Sequence, residues 1–272
     1  MSVVGLSLGL LAILASGERM LAWAGLPPGR GFDRLGLAFA MGLVGLTVLP
    51  FWLNLLGLPL SPSLALTLGG AGLLLAGGNL ARTGFGLRRG PGPTGPGVGR
   101  WFGLVTVLFV ALATARTLWE PLTGWDARAL WGLYTGLLYH EQSVSGPGFT
   151  DPERCLQLTN YPLLVPLARW FLAAWMGGLE DQVSLALFPV CYVAMLAVVH
   201  GRLARTLPGP VPSLLLALLA SVPVFWRAGD GSVASGYAEV PLALLSAALA
   251  VCLLEGRACQ QVAWFRVAAW MG

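Results

Sequence analysis

Lysine is absent from this 272-residue chain, and charged residues of all kinds make up only 10% of it. Soluble domains carry roughly 25% charged residues, so this chain cannot cover a water-facing surface of ordinary polarity. The shortage excludes a soluble globular enzyme and a disordered chain. All sixteen basic residues are arginine, which together with abundant alanine is typical of a GC-rich bacterial genome.

Cysteine is also scarce, and its spacing indicates no site. The four residues are Cys155, Cys191, Cys252 and Cys259, and no CxxC pair occurs. This excludes a disulfide framework and gives no indication of zinc. The net charge of +4 comes from scattered arginines, without a basic stripe of interleaved aromatics, so we expect no nucleic-acid partner.

Long apolar runs are what the sequence has instead: hydrophobic residues make up 56% of it, with a mean hydropathy of +0.75. Because a helix needs ~20 apolar residues to cross a bilayer, the predicted fold class is an all-α, polytopic helical membrane protein. We predict seven spans, near 2–16, 35–57, 60–81, 101–118, 182–201, 211–226 and 238–254. A further run begins near Val262 and the sequence stops inside it, which suggests a fragment or the first part of a longer protein.

A Gly/Pro/Arg segment, 82–100, separates three N-terminal spans within 1–81 from a core within 101–272. Its composition argues against regular structure, and its four arginines place it in the cytoplasm. Counted outward from this linker, the acidic loop 119–160 lies on the outer face, and the N-terminus does as well. We therefore expect a multi-pass protein of the bacterial cytoplasmic (inner) membrane.

The apolar run 161–178 is predicted not to cross. Arg169 near its middle would cost ~3 kcal/mol at the centre of a spanning helix. If the run did span, the charges of the following loops would fall on the wrong sides of the membrane. We expect a juxtamembrane or half-inserted helix on the outer side.

Two polar stretches carry candidate chemistry. The first, Trp125-Asp126, precedes a helix predicted over 127–139 whose apolar face reads as an interfacial amphipathic helix. Asp126 either caps this helix or acts as a general base for a lipid-borne substrate. The second is the loop from Arg227 to Leu242, in which Glu239 begins a predicted span. Glu239 is either a second functional acid or only a favourable charge at the positive end of the helix dipole.

Further polar residues are candidates for substrate contact, each with a structural alternative. Arg169 suits a phosphate because its guanidinium binds oxygens in a bidentate way, but pairing with an acid or snorkelling would also account for it. His140 ends the amphipathic helix, and Tyr161 begins the juxtamembrane one. The remaining candidates are Trp125, Arg128, Arg227, Asp230 and Tyr237.

Taken in order, these stretches resemble a known family. The chain reads Gly-Trp-Asp-Ala at 124–127, Tyr-Pro-Leu-Leu-x-Pro at 161–166, Arg-Leu-Ala-Arg at 202–205 and Gly-Tyr-Ala-Glu-x-Pro-Leu at 236–242. This resembles the GT-C-type integral membrane glycosyltransferases of family 39, the dolichyl-phosphate-mannose-protein mannosyltransferase-like group, in an uncharacterised bacterial branch. The resemblance covers about 101–256. Relatives usually run longer and carry Asp at the position of Glu239.

The resemblance implies transfer of a sugar from a polyisoprenyl-phosphate donor to an acceptor on the outer face, with inversion at the anomeric carbon. It implies Asp126 as the candidate general base and Glu239 as the second catalytic acid. A divalent metal between the two acids is an open alternative, but the resemblance implies that no cofactor is needed. The bilayer and the lipid-linked donor are the expected partners.

Two other classes stay open. A transporter or lipid-carrier flippase is expected to have charged residues near the bilayer midplane, broken helices and an internal repeat. The acids here are predicted at helix ends instead. The other class is a non-catalytic subunit of an assembly, in which the site is inactive.

Overall fold

A computed structural model describes residues 2–26, 31–83, 98–120, 127–151, 162–227 and 232–271. Every regular element within these residues is helical. The α-helices are α1 (Ser2–Trp23), α2 (Phe32–Leu55), α3 (Pro62–Thr83), α4 (Val98–Trp119), α5 (Leu133–Glu141), α6 (Pro147–Thr150), α7 (Leu164–Met176), α8 (Asp181–Ser184), α9 (Leu187–Thr206), α10 (Val211–Ala220), α11 (Pro223–Trp226), α12 (Glu239–Cys259) and α13 (Val262–Met271). A π-helical turn (Ala127–Gly132) leads into α5, and a 3₁₀ turn (Val233–Ser235) precedes α12.

Five helical segments of the described chain are long and apolar enough to cross a bilayer. They are Val3–Trp23, Phe32–Leu55, Val98–Trp119, Asp181–Thr206 and Glu239–Cys259. Each has 21 or more residues, hence about 30 Å or more of helix, which matches the hydrocarbon thickness. The predicted class, an all-helical multi-pass membrane protein, is what these segments indicate.

The run 211–226, predicted as one span, is not one helix. Helix α10 has 10 residues, about 15 Å, and ends before Ser221. Val222 then leaves the helical conformation (φ −59°, ψ 122°), because the following Pro223 disfavours that conformation in the residue before it. The chain resumes as the single turn α11.

Ion pairs between helices fix the relative directions of four of them. Near the end of α1, Glu18 accepts from Arg34 in the first turn of α2 (3.0 Å), so α1 and α2 are antiparallel. Asp33 pairs with Arg205 in the last turn of α9, so α2 and α9 are antiparallel too. Glu255, in the last turns of α12, pairs with Arg202 and Arg205, so α9 and α12 run parallel. We call this end of the molecule the arginine end; it is defined by Glu18, Asp33, Arg34, Arg202, Arg205 and Glu255.

Connections between several helices meet at the opposite end of the molecule. Gln182 at the start of Asp181–Thr206 donates to the carbonyls of Thr117 (2.8 Å) and Glu120 (2.9 Å), which lie at the end of α4. Arg116 donates to the carbonyl of Trp226 (2.9 Å). Glu239 begins α12 more than four turns, about 24 Å, before Glu255, and so lies at this end. We call it the loop end; it is defined by Thr117, Glu120, Gln182, Trp226 and Glu239.

Helix α7 is enclosed by protein rather than lying on its surface. Its 13 residues, about 20 Å, are too few to cross a bilayer alone. It packs against α1, α2 and α3, and eleven of its residues are buried. Trp170 is fully buried and donates from Nε1 to the carbonyl of Leu60 (3.0 Å), just before α3.

Helices α1 and α2 approach so closely that only glycine fits at their crossing. A Cβ on Gly17 would overlap the carbonyl oxygen of Ala38, and one on Gly42 would overlap that of Ile13. These obstacles are backbone atoms and cannot swing away. Close approach through small residues is a common way for membrane helices to associate.

Gly17→Ala is therefore expected to lower the free energy of unfolding by about 1–3 kcal/mol, the usual cost of overpacking. Thermal unfolding of the purified protein in detergent measures the effect. The matched control is Gly103→Ala in α4, where a Cβ meets nothing within 4 Å. There, better helix propensity predicts no loss. Equal unfolding temperatures for the two variants would contradict the α1–α2 contact.

Candidate functional site

The helix that follows the first polar stretch has the apolar face predicted for it. Its residues Ala127, Leu130, Trp131, Tyr134 and Leu138 are buried. They pack against α7, so this face is covered by the protein. Its first turn is π-helical, a form that occurs mostly as single turns and frequently at functional sites.

Arg128 lies on the other side of the π turn. Its side chain is exposed, and it has no acidic partner among the described residues. His140 at the far end of the same helix is also exposed and stands edge-on to the ring of Tyr139, with centroids 5.5 Å apart. The next residue, Glu141, accepts the backbone N–H of Gly148 with both carboxylate oxygens (3.0 and 3.1 Å). Glu141 thus satisfies a free donor at the start of α6.

Arg169 is the buried charge of this region, with no exposed surface. Its Nε donates to the hydroxyl of Ser184 (3.0 Å), and its Nη2 donates to the Asp181 carboxylate (2.8 Å). Burial lowers the pKa of the Arg169 guanidinium, and the Asp181 carboxylate opposes that shift. The predicted pairing with an acid is therefore present, and it joins α7 to α8.

The third guanidinium nitrogen of Arg169 is directed at the π turn. Nη1 is buried and has no hydrogen-bond partner. It lies 3.9 Å from the point where a Cβ on Gly132 would be. Because the whole side chain is enclosed, Arg169 is not accessible to a ligand at the surface in this conformation. It lies behind the turn that begins immediately after Asp126.

The second polar stretch places its acid at the surface. Glu239 is exposed in the first turn of α12, with Pro241 in the same turn. Tyr237, two residues earlier, is buried. Arg227 follows α11 and is exposed, without an acidic partner in the described chain. Glu239, Arg227 and Arg128 are thus charged groups left available to solvent or to a ligand.

Most other acids of the described chain have an ion-pair or hydrogen-bond partner, whereas Glu239 has none. Six acids have an assigned structural contact: Glu18, Asp33, Glu120, Glu141, Asp181 and Glu255. Among the acidic residues that the structure describes, only Glu180 and Glu239 have none. Glu180, next to Asp181 before α8, is exposed as well. It is therefore a natural comparison for Glu239.

Four of the predicted site residues, Trp125, Asp126, Tyr161 and Asp230, lie outside the described residues. No group of three His, Cys, Asp or Glu side chains that could hold a metal ion occurs within the described ranges.

Sequence reasoning missed Asn54, which joins the α2–α3 loop to the loop after α5. Its side chain donates to the carbonyl of Gln142 (3.1 Å) and accepts from the N–H of Val144 (2.8 Å). Gln142 has a left-handed backbone (φ 53°) that turns the chain at this point. The signal available in the sequence was a lone asparagine at the end of an apolar run.

Comparison of the chain with protein-family models, with curated proteins and with solved structures finds no match. A functional assignment therefore depends on the residues and their arrangement.

Proposed function

We propose that the protein is a membrane glycosyltransferase that moves a sugar from a polyisoprenyl-phosphate donor to an acceptor hydroxyl at the loop end, on the outer face of the membrane. The proposal includes the GT-C-like arrangement and seven membrane passes. Five passes correspond to the span-length helices. Helix α3 and the broken segment α10–α11 would supply the other two.

The observation that carries the proposal is that Glu239, in the Gly-Tyr-Ala-Glu-x-Pro-Leu segment of the family resemblance, is exposed and unpaired in the first turn of α12. A surface acid without an ion pair contributes little to stability, whereas an acid that binds a substrate hydroxyl has to stay unpaired and accessible. Arg227, an unpaired cation, also lies at the loop end, because it directly follows Trp226, one of the residues that define this end. A site with an available acid and an available arginine suits a phosphorylated sugar donor.

In the proposed step Asp126 is the general base, and the second acid, Glu239, accepts a hydrogen bond from a hydroxyl of the sugar or of the acceptor. Asp126 removes the proton from the acceptor hydroxyl as its oxygen attacks the anomeric carbon from the face opposite the phosphate. The carbon–oxygen bond to the phosphate breaks, and its electron pair leaves with the phosphate oxygen. Arg128 and Arg227 balance the charge of that leaving group. Arg169, enclosed and paired, supports the turn that follows Asp126 and does not itself bind the phosphate.

Glu239→Gln tests the proposal at the described acid. We expect sugar transfer to fall by about tenfold to 100-fold, because glutamine keeps the size but loses the charged carboxylate, and a hydrogen bond to a charged group contributes about 1.5–3 kcal/mol. The assay uses membranes containing the full chain and a radiolabelled polyisoprenyl-phosphate sugar. Glu180→Gln is the matched control, since Glu180 is also exposed and unpartnered, and it should transfer at the wild-type rate. Equal activities for the two variants would remove Glu239 from the site.

The same membranes separate the proposal from its main rival, a lipid-carrier flippase. A transferase releases labelled sugar onto an acceptor, whereas a flippase moves the intact labelled lipid between leaflets. Translocation of intact donor without transfer would favour the flippase and overturn the proposal.

A further inference from the structure

The arginine end has more positive charge than its own acids can neutralise. Each of its three acids already has an arginine partner: Glu18 has Arg34 (3.0 Å), Asp33 has Arg205, and Glu255 has Arg202 (2.8 Å) and Arg205 (3.0 Å). Arg19, Arg257 and Arg266 lie at the same end and have no acidic partner in the described chain. This end therefore presents a net positive surface.

Arg19 and Trp23 form a cation–aromatic pair in the last turns of α1. The guanidinium carbon of Arg19 lies 5.8 Å from the centre of the Trp23 ring. The Nε of Arg19 is buried and has no hydrogen-bond partner. Trp23 is 62% exposed, so its ring forms part of the outer surface. An arginine next to an exposed tryptophan suits the level of the lipid headgroups, where both residue types concentrate.

Helix α13 begins beside the turn that follows α1. A Cβ on Gly25, two residues after Trp23, would touch the Cβ of Ala263 at 3.8 Å. Arg266 follows Ala263 by three residues, so the two lie on the same side of α13, and Arg266 is exposed. The ring of the adjacent Phe265 packs on Gly256 of α12 and is 40% exposed. The end of α1 and the start of α13, which we call the α1–α13 corner, thus carry two arginines without acidic partners together with exposed aromatic rings.

We propose that this corner, formed by Arg19, Trp23 and Arg266, binds the phosphate of an anionic phospholipid in the leaflet at the arginine end. Charge complementarity identifies the occupant: the local acids are already paired, and the aromatic rings lie beside the cations at the membrane surface. Arginines near a membrane surface attract anionic headgroups, and the guanidinium matches phosphate oxygens. The proposal is independent of the proposed glycosyltransferase activity, because the site lies at the opposite end of the molecule.

The test measures lipid retention by native mass spectrometry and thermal unfolding in nanodiscs. The full chain is placed in phosphatidylcholine alone or in phosphatidylcholine mixed with phosphatidylglycerol. We expect phosphatidylglycerol to be retained and to raise the unfolding temperature. Arg19→Gln or Arg266→Gln should each weaken retention about fivefold, and the double variant about 25-fold.

Two controls make the result specific. Arg100→Gln removes an exposed arginine in the first turn of α4, outside this corner, and should retain phosphatidylglycerol as the wild type does. The charge-preserving variant Arg19→Lys should keep most of the retention, and every variant must unfold in phosphatidylcholine at the wild-type temperature. Equal loss in Arg100→Gln would mean that only net charge matters and would overturn the proposal. So would wild-type retention by the double variant, or equal stabilisation by soluble glycerol phosphate.

Discussion

Replacing Asp126 by asparagine is expected to reduce sugar transfer by about 100-fold or more while leaving expression and folding unchanged. Asparagine matches aspartate in size and is as good a helix N-cap, so any capping contribution of residue 126 survives the change. Only the ability to accept a proton is lost. Ala127, the next residue, is buried in the π turn, and the substitution does not alter that packing.

The measurement is transfer from a labelled polyisoprenyl-phosphate sugar at several pH values, with the protein quantified in the same membranes. Added small carboxylates such as formate provide a second readout in Asp126→Ala, whose shorter side chain leaves room for them, since they can partly restore activity when a general base is missing. If Asp126→Asn transfers sugar at the wild-type rate, residue 126 is a cap only. The glycosyltransferase proposal would then depend on Glu239 alone.

The amphipathic helix shows what periodicity can and cannot predict. Six positions follow helical spacing: Ala127, Leu130, Trp131, Tyr134, Leu137 and Leu138. Five of them are buried, and Leu137 is half-buried. Spacing identifies which face of a helix is covered. It does not identify the covering material, because a protein core and the apolar side of an interface favour the same residues. Here the cover is α7, a contact between segments that no local pattern encodes.

The interruption of the 211–226 run was visible in the sequence. Pro223 restricts the residue before it, and the helix ends before that residue. Hydropathy alone favoured an unbroken span, because the residues on both sides of the proline are apolar. A local backbone rule therefore overrides the hydropathy pattern in this segment.

The directions of the helices could be predicted more completely than the site. The arginines at 34, 202 and 205 collect at one end of the bundle, as the charge rule requires of residues on one side of a membrane. That rule acts on whole loops and needs no atomic detail. The pairing of Asp181 and Ser184 with Arg169 depends on how α8 turns back towards α7, and side-chain geometry of that kind is set by tertiary packing.

Asp181→Ala is expected to be among the most destabilising single changes in the molecule, at about 2–3 kcal/mol. Removing one partner of a buried ion pair typically costs 3–5 kcal/mol, because the remaining charge stays buried without compensation. Arg169 is fully enclosed, but the Asp181 side chain is 60% exposed, so we place the loss below that range. For a chain of this size the change corresponds to a fall of about 5–10 °C in unfolding temperature.

Thermal unfolding in detergent measures the loss, and two variants identify its cause. Glu180→Ala removes the adjacent exposed acid, which has no partner in the described chain, and should change the unfolding temperature by no more than about 2 °C. The double variant Arg169→Met with Asp181→Ala removes both charges and replaces the arginine by an apolar side chain of similar length. It should be more stable than Asp181→Ala alone, since no unpaired charge is left in the core. If the double variant is less stable than the single one, Arg169 contributes chiefly through packing and through its position behind the π turn, and the ion pair is not the main source of its stabilising effect.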